Sequence, residues 1–271
     1  MNISDYNWGL IWDNRSVLLN GLLVALQVSL VALVIATVGG LLLAVLRMSG
    51  RPWSWIALLY INIFRGVPAL VSVIWVYFGV ALLLGVNFSV FQAGVIALSL
   101  LYSAFMAEIF RSALSAVPTG HREAGQALGL RSSRIFVSII LPQAFKIALP
   151  NIGSMFIGMV KDTSTFTVIG LLEVVRVTQN LVSSTFQPFV LYTAAALIYV
   201  VAAFVIDLIF RLVESAYIRP PKGALAKVLR SRRHRRIQRI IAEVDTSSMM
   251  PSAGTAEVGT SSAALTRPTD Q

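Results

Sequence analysis

The side chains most able to take part in chemistry in this 271-residue sequence lie in one short run, Lys161-Asp162-Thr163-Ser164. The run directly follows an apolar stretch, where ionisable groups are costly and are functional candidates. Asp162 could receive a cationic group of a small solute, while Thr163 and Ser164 donate or accept hydrogen bonds. The alternative is an interfacial pair between Lys161 and Asp162 that caps a helix. These residue types indicate a binding site, and they include no catalytic group.

Two serines, Ser99 and Ser103, form a second candidate. They lie one helical turn apart in another apolar stretch, so on a helix they could face the same cavity. A serine in such a helix more often bonds its own backbone, which leaves both interpretations open. The sequence has no cysteine, which excludes disulfides, thiolate metal sites and a cysteine nucleophile. It also lacks a GxxxxGKS/T phosphate loop, so we expect no ATP chemistry in this chain.

The composition indicates a membrane protein. Hydrophobic residues make up 56% of the chain and charged residues 13%, whereas about a quarter of the residues in soluble domains are charged. The mean hydropathy is +0.78. Lipid is therefore the expected solvent for most of the chain, which we predict to be a multi-pass protein of the cell membrane.

Five apolar stretches approach or exceed the length of about 20 residues that a helix needs to cross a bilayer. They cover residues 17–46, 68–84, 88–110, 143–160 and 188–213. The second could begin with a helix at 55–64, and Pro150 and Gly153 interrupt the fourth. A stretch at 168–175 is too short to span, and it predicts a helix on the outer face. The predicted fold class is an all-α integral membrane protein with about five transmembrane helices.

The basic residues set the expected orientation, because arginine and lysine favour cytoplasmic loops. One set of loops holds Arg47, Arg51, Arg111, Arg122, Arg131, Arg134 and the residues from Arg219 onward. The opposite set holds Arg15, Lys161 and Arg176. This asymmetry predicts an extracytoplasmic N-terminal segment at residues 1–16, a transmembrane domain at 17–217 and a cytoplasmic C-terminus.

Other charged residues near the predicted spans are expected to be structural. Glu108 and Arg111, and likewise Asp207 and Arg211, have the spacing of helical ion pairs. Arg65 belongs to a helix break between Gly66 and Pro68. It is expected to orient the second span rather than to contact a solute.

The C-terminal part of the chain has a different character. Residues 218–242 mix arginines with apolar residues, which predicts a basic amphipathic segment on anionic membrane lipid. Nucleic-acid binding is the rival interpretation, but no aromatic residues are interleaved there for base stacking. Residues 243–271 are rich in Ser, Thr and Ala, and we expect them to be disordered.

A charged segment at residues 118–142, hereafter the knob, separates the third and fourth apolar stretches. We predict a short helix over 121–128, ended by Gly129 in the left-handed conformation. Ala124 and Gly125 keep one face of this helix small, so that another surface could approach closely. The knob is therefore either a docking element or a solvated connecting loop.

The knob resembles the "EAA" signature of ABC importer membrane subunits, in which E-A-A, three residues, G, nine residues, I, one residue and L-P follow in order. The matching residues are Glu123, Ala124, Gly125, Gly129, Ile139, Leu141 and Pro142. Gly125 replaces the second alanine, and should loosen the short helix by up to about 1 kcal/mol. Further segments resemble the polar amino acid subfamily: FRGVP at 64–68, AEIFR at 107–111, LPQAFKIALP at 141–150, KDTS at 161–164 and VIG at 168–170.

The resemblance implies a permease subunit of a type I ABC importer for polar amino acids, with the knob as a coupling helix that docks in a separate ATPase. It implies a second permease chain, identical or similar, and ATPase subunits that bind ATP and Mg. It also implies an extracytoplasmic substrate-binding protein, and neither a cofactor nor nucleic acid on this chain. Two alternatives stay open: the same machine for another small solute, and an ion-coupled carrier working alone. Such a carrier should show an inverted repeat and acids in several spans.

Overall fold

The computed structural model describes residues 7–218, most of which are helical. The helices, in chain order, are α1 (Gly9–Asp13), α2 (Arg15–Arg47), α3 (Trp53–Gly66), α4 (Ala69–Leu84), α5 (Val90–Ser115), α6 (Thr119–Ala127), α7 (Ser132–Ile169), α8 (Val174–Thr185) and α9 (Pro188–Ile218). The predictions for the basic segment and for the final residues fall outside the described range.

Four of these helices, α2, α5, α7 and α9, are long and apolar enough to cross a membrane. Helices α3 and α4 pass the same test together, although they bend by 108° where they meet. The bend has a local cause, because Val67 precedes Pro68 and is held in the extended conformation. With this pair counted as one span, residues 7–218 contain five, which confirms the predicted plan.

The fourth span is more continuous than the sequence predicted. Helix α7 passes through Pro150 and Gly153 without ending, so the expected interruption at these residues is wrong. The irregularity lies instead at a π-helical turn, Phe136–Ile140, just before Pro142. There the Gln143 side chain supplies an additional donor, since its Nε2 lies 2.8 Å from the carbonyl oxygen of Ile139.

The prediction of a helix at 168–175 is wrong in its position. Helix α7 ends in a 3-10 stretch, and Gly170 then turns the chain with a φ of 87°. Glu173 starts the next helix, because its carboxylate accepts hydrogen bonds from two backbone N–H groups in the first turn of α8. The helix therefore begins at Val174, near the end of the predicted segment.

Helix α5 is the most buried span and packs along α2. Near one end, a Cβ added to Gly94 would lie 3.4 Å from Val28. Near the other, a Cβ on Gly40 would lie 2.9 Å from the carbonyl carbon of Met106 and 3.0 Å from the nitrogen of Ala107. Residue numbers rise together along both helices, so α2 and α5 run in the same direction. Their C-terminal ends share one end of the bundle, hereafter the knob end because the knob follows α5.

Candidate functional site

The first helix of the knob ends in a Schellman motif. Gly129 has a φ of 71°, and its N–H donates to the carbonyl oxygen of Gln126 at 2.9 Å. The N–H of Leu130 donates to the carbonyl oxygen of Gly125 at 3.1 Å. The predicted left-handed stop at Gly129 is thus confirmed, and it fixes the direction in which the chain leaves α6.

Gly125 is buried within the knob itself, against the fully buried Ile135. A Cβ at position 125 would lie 2.9 Å from Cγ1 of Ile135. The small residue therefore makes room for this chain's own isoleucine, and the expectation that it receives another surface is wrong for Gly125. An alanine at this position would require Ile135 to shift.

The outward face of the knob carries the remaining residues of the signature's first half. Glu123 and Ala124 are exposed, and Leu128 beside them is 78% exposed. In the second half, Ile139 and Leu141 are half-buried and Pro142 is exposed. The knob thus presents an acid and a large apolar side chain on a short helix with a fixed end.

We expect Gly125→Ala to destabilise the knob, although alanine alone would favour the helix by about 1 kcal/mol. The added methyl group would lie 2.9 Å from Cγ1 of Ile135, whose side chain is 1% exposed, so Ile135 must shift. A double-mutant cycle with Ile135→Ala checks this by thermal unfolding of the purified protein. The double variant should be more stable than the sum of the two single effects predicts, by about 0.5 kcal/mol or more; strict additivity would contradict the contact.

Ser99 and Ser103 line one groove of about 760 Å³. The Oγ of Ser103 donates to the carbonyl oxygen of Leu100 at 2.9 Å and lies 2.8 Å from the hydroxyl of Tyr60. The Oγ of Ser99 is shielded from solvent and has no hydrogen-bond partner among the described residues. Ser103 therefore bonds the backbone, as one of the two interpretations expected, whereas the Ser99 hydroxyl is buried in the wall of the groove without a partner in the described part of the chain.

Asp162 is tied to α5 rather than to its neighbour in the sequence. The hydroxyl of Tyr102 donates to Oδ2 of Asp162 at 3.0 Å. Lys161 is exposed and forms no ion pair with Asp162, and the Asp162 side chain caps no helix. The interpretation as a Lys161–Asp162 capping pair is therefore wrong.

The two hydroxyl residues after Asp162 differ in what they can offer a ligand. The buried Thr163 uses its Oγ1 to donate to the carbonyl oxygen of Val160 at 2.7 Å. Ser164 is half-buried, and within residues 7–218 its hydroxyl makes no hydrogen bond. Neither residue lines the groove of Ser99, so the two predicted groups of candidates do not meet in one chain.

Glu173 is 0% exposed, and it was not among the residues predicted from the sequence. Its carboxylate accepts hydrogen bonds from the backbone N–H groups of Val175 and Arg176, both at 2.8 Å, and from the hydroxyl of Tyr199 at 2.7 Å. Burial raises the pKa of Glu173, and these three hydrogen bonds oppose the rise. The residue joins the start of α8 to α9, and the acid directly before a helix was its only signal in the sequence.

Glu173→Gln should lower the free energy of unfolding by about 2–3 kcal/mol, because the amide NH₂ would face a backbone donor in a buried site. Thermal unfolding of the purified complex measures the loss. Glu123→Gln is the matched control, because Glu123 is exposed on α6, outside the membrane spans. Such surface substitutions usually change stability by at most about 0.5 kcal/mol, so equal shifts in Tm for the two variants would contradict the assigned role of Glu173.

The expected structural pairs are present. Nη2 of Arg111 lies 2.8 Å from Oε2 of Glu108, and Nε of Arg211 lies 2.7 Å from Oδ2 of Asp207. Arg65 is exposed at the end of α3, and its guanidinium carbon lies 5.7 Å from the centroid of the Phe105 ring. That contact joins the helix break to α5, as expected for an orienting role.

Comparison with known proteins identifies the family. The family described as "Binding-protein-dependent transport system inner membrane component" matches residues 36–219. The arginine transport system permease protein ArtQ of Bacillus subtilis (strain 168) is 35% identical over 198 residues, which are 73% of this chain and 90% of that protein. The glutamine transport system permease protein GlnP of Escherichia coli (strain K12) is 33% identical over 212 residues, 77% of this chain and 96% of that protein.

Solved structures share the fold. One described as "Crystal structure of an amino acid ABC transporter with histidines" has a TM-score of 0.71 and 32% sequence identity. The match covers 78% of this chain and 99% of the chain in that structure. An inward-facing MetNI methionine ABC transporter, at 21% identity and a TM-score of 0.67, supports the fold alone. The chain belongs to the family of binding-protein-dependent transport system inner membrane components, and it is the permease subunit of an ABC importer.

Proposed function

We propose that this permease carries amino acids with a cationic side chain, and that Asp162 receives the cationic group of that side chain. The observation that carries the proposal is the partner of Asp162, which is the neutral hydroxyl of Tyr102 and not a cation. Its carboxylate charge is therefore left for a ligand, in a chain whose relatives include permeases named for arginine and glutamine. Ser164, beside Asp162, would supply a hydrogen bond.

Ser99 would contribute separately to the pathway as part of the wall of the groove. Ser103 and Thr163 would shape the pathway through their backbone hydrogen bonds. Transport would proceed by alternating access at a cavity between two permease chains. The second permease chain, identical or similar, belongs to this proposal.

The knob would transmit motion from a separate ATPase, which would bind ATP and Mg. This assignment rests on the exposed Glu123, Ala124 and Leu128, which stand on a helix whose end is fixed by Gly129. The knob end would face the cytoplasm, since Arg47, Arg51, Arg111 and the arginines of the knob lie there. Asp162, at the other end of α7, would lie towards the outer face and a substrate-binding protein.

Co-expression with an ATPase subunit and a substrate-binding protein, followed by reconstitution in proteoliposomes, tests the proposal. We expect ATP-dependent uptake of arginine, lysine or histidine that requires the binding protein, and no uptake with an ATPase that cannot hydrolyse ATP. Uptake driven by a proton or sodium gradient without ATP would contradict the proposal and favour a carrier. ATP-dependent uptake of only another kind of solute would refute the substrate assignment alone.

A further inference from the structure

A pocket of about 460 Å³ that contains two arginine side chains lies between the end of α2 and the start of α3. It is lined by Arg47, Ser49, Gly50, Arg51, Ser54, Trp55 and Leu58. Because α2 ends at the knob end of the bundle, the pocket lies where the first span leaves the membrane. The transport function described above makes no use of it.

The pocket concentrates positive charge without a counter-charge. Among the residues that line it there is no acid, and the ion pairs within residues 7–218 involve other arginines. Arg47 is held in place, since its Nη1 donates to Oγ of Ser54 at 2.9 Å and that Oγ donates to the carbonyl oxygen of Arg47. The Nε of Arg47 is shielded from solvent and has no described partner. Arg51 is exposed, and its guanidinium carbon lies 5.9 Å from the centroid of the Trp55 ring.

The surface next to the pocket is apolar and exposed. Trp53 and Trp55 are 57% and 59% exposed, and Ile56 and Leu59 continue this surface along α3. Tryptophans of this kind lie at the level of lipid headgroups, with apolar residues towards the acyl chains. A ligand that joins an anion to hydrocarbon would satisfy both surfaces.

We propose that this pocket binds the phosphodiester headgroup of an anionic phospholipid, whose acyl chains lie along the exposed face of α3. Arginine guanidinium groups match phosphate oxygens in a bidentate geometry. Arg51 would make the direct contact, while Arg47 adds charge from its fixed position. Such a lipid would hold the start of the bent α3–α4 pair against the end of α2.

Arg51→Gln tests the proposal, because Arg51 is exposed and its loss leaves the Arg47–Ser54 hydrogen bonds intact. Native mass spectrometry of the purified complex, titrated with phosphatidylglycerol, measures the lipid bound. We expect about fivefold weaker binding, as for the loss of one interfacial charge. Arg51→Lys keeps the charge but loses the bidentate geometry, so its binding should lie between that of Arg51→Gln and that of the unchanged protein.

Arg15→Gln is the matched control. Arg15 also lies beside a tryptophan, 4.5 Å from the Trp12 ring centroid, but at the opposite end of α2 and outside the pocket. This variant should bind phosphatidylglycerol as the unchanged protein does. Equal losses in Arg15→Gln and Arg51→Gln, or no preference for phosphatidylglycerol over phosphatidylcholine, would overturn the proposal. Displacement of the lipid by millimolar inorganic phosphate would identify a site for free phosphate and overturn it as well.

Discussion

Gly129→Val should abolish transport while the permease still inserts and assembles with its partners. Gly129 has a φ of 71°, which a β-branched residue adopts only at a cost of about 1–3 kcal/mol. A Cβ at this position would meet no atom within 4 Å, so the strain arises in the backbone alone. To relieve it, the chain must abandon the Schellman motif, and the outward face of the knob then loses its fixed direction.

The measurement is ATP-dependent uptake in proteoliposomes, together with ATPase activity stimulated by the loaded binding protein. Gly120→Val is the matched control, because Gly120 also has open space around it but lies in α6 without a positive φ. Gly129→Asn should recover part of the activity, since asparagine tolerates the left-handed conformation. Normal uptake and stimulation in Gly129→Val would show that the knob does not transmit motion through a fixed helix end.

The knob could be predicted from the sequence because its determinants are local. The glycine that stops α6, the capping hydrogen bonds that Gly129 and Leu130 donate, and the exposed signature residues all lie within one short segment. The five spans were predictable for a similar reason, since apolar length is a property of consecutive residues. The order of the spans is also given directly by the order of the apolar stretches along the chain.

The polar contacts between helices could not be predicted in this way. Tyr102 and Asp162 are separated by 60 residues, and Glu173 and Tyr199 by 26. Each pair depends on how two helices lie against each other, and one sequence contains no record of that packing. A pair between Asp162 and the adjacent Lys161 was one of the predicted alternatives, whereas Asp162 is bound by Tyr102 on another helix.

The predicted helix boundaries were wrong where a feature of the backbone outweighed the composition of the segment. The apolar residues at 168–175 suggested a helix, but Gly170 takes a positive φ and Glu173 caps the helix that follows. At Pro150 an interruption was predicted, but α7 continues through this residue. In a membrane span a proline can remain inside a helix, because neighbouring groups can satisfy the backbone acceptor that its missing N–H leaves free.

Asp162→Asn should lower uptake tenfold or more while assembly and docking of the ATPase stay intact. Removing the charge from a half-buried, hydrogen-bonded binding site costs about 1.4 kcal/mol or more, which corresponds to at least that factor. The structure sharpens this expectation, because Oδ2 of Asp162 accepts the Tyr102 hydroxyl and Oδ1 has no described partner. Asparagine could keep the bond from Tyr102 and still lose the attraction for a cationic ligand.

Tyr102→Phe separates the two roles of the site. It removes the hydroxyl bound to Asp162 and leaves the carboxylate charge, so uptake should fall by less than about tenfold, as for the loss of one neutral hydrogen bond. Uptake of radiolabelled arginine in proteoliposomes, measured across substrate concentrations, compares the two variants with the unchanged protein. If Asp162 binds the cation, Asp162→Asn is the more damaging change, and uptake of a neutral amino acid, where it occurs, is spared. Equal losses in both variants for every solute would mean that Asp162 only joins α7 to α5 through Tyr102.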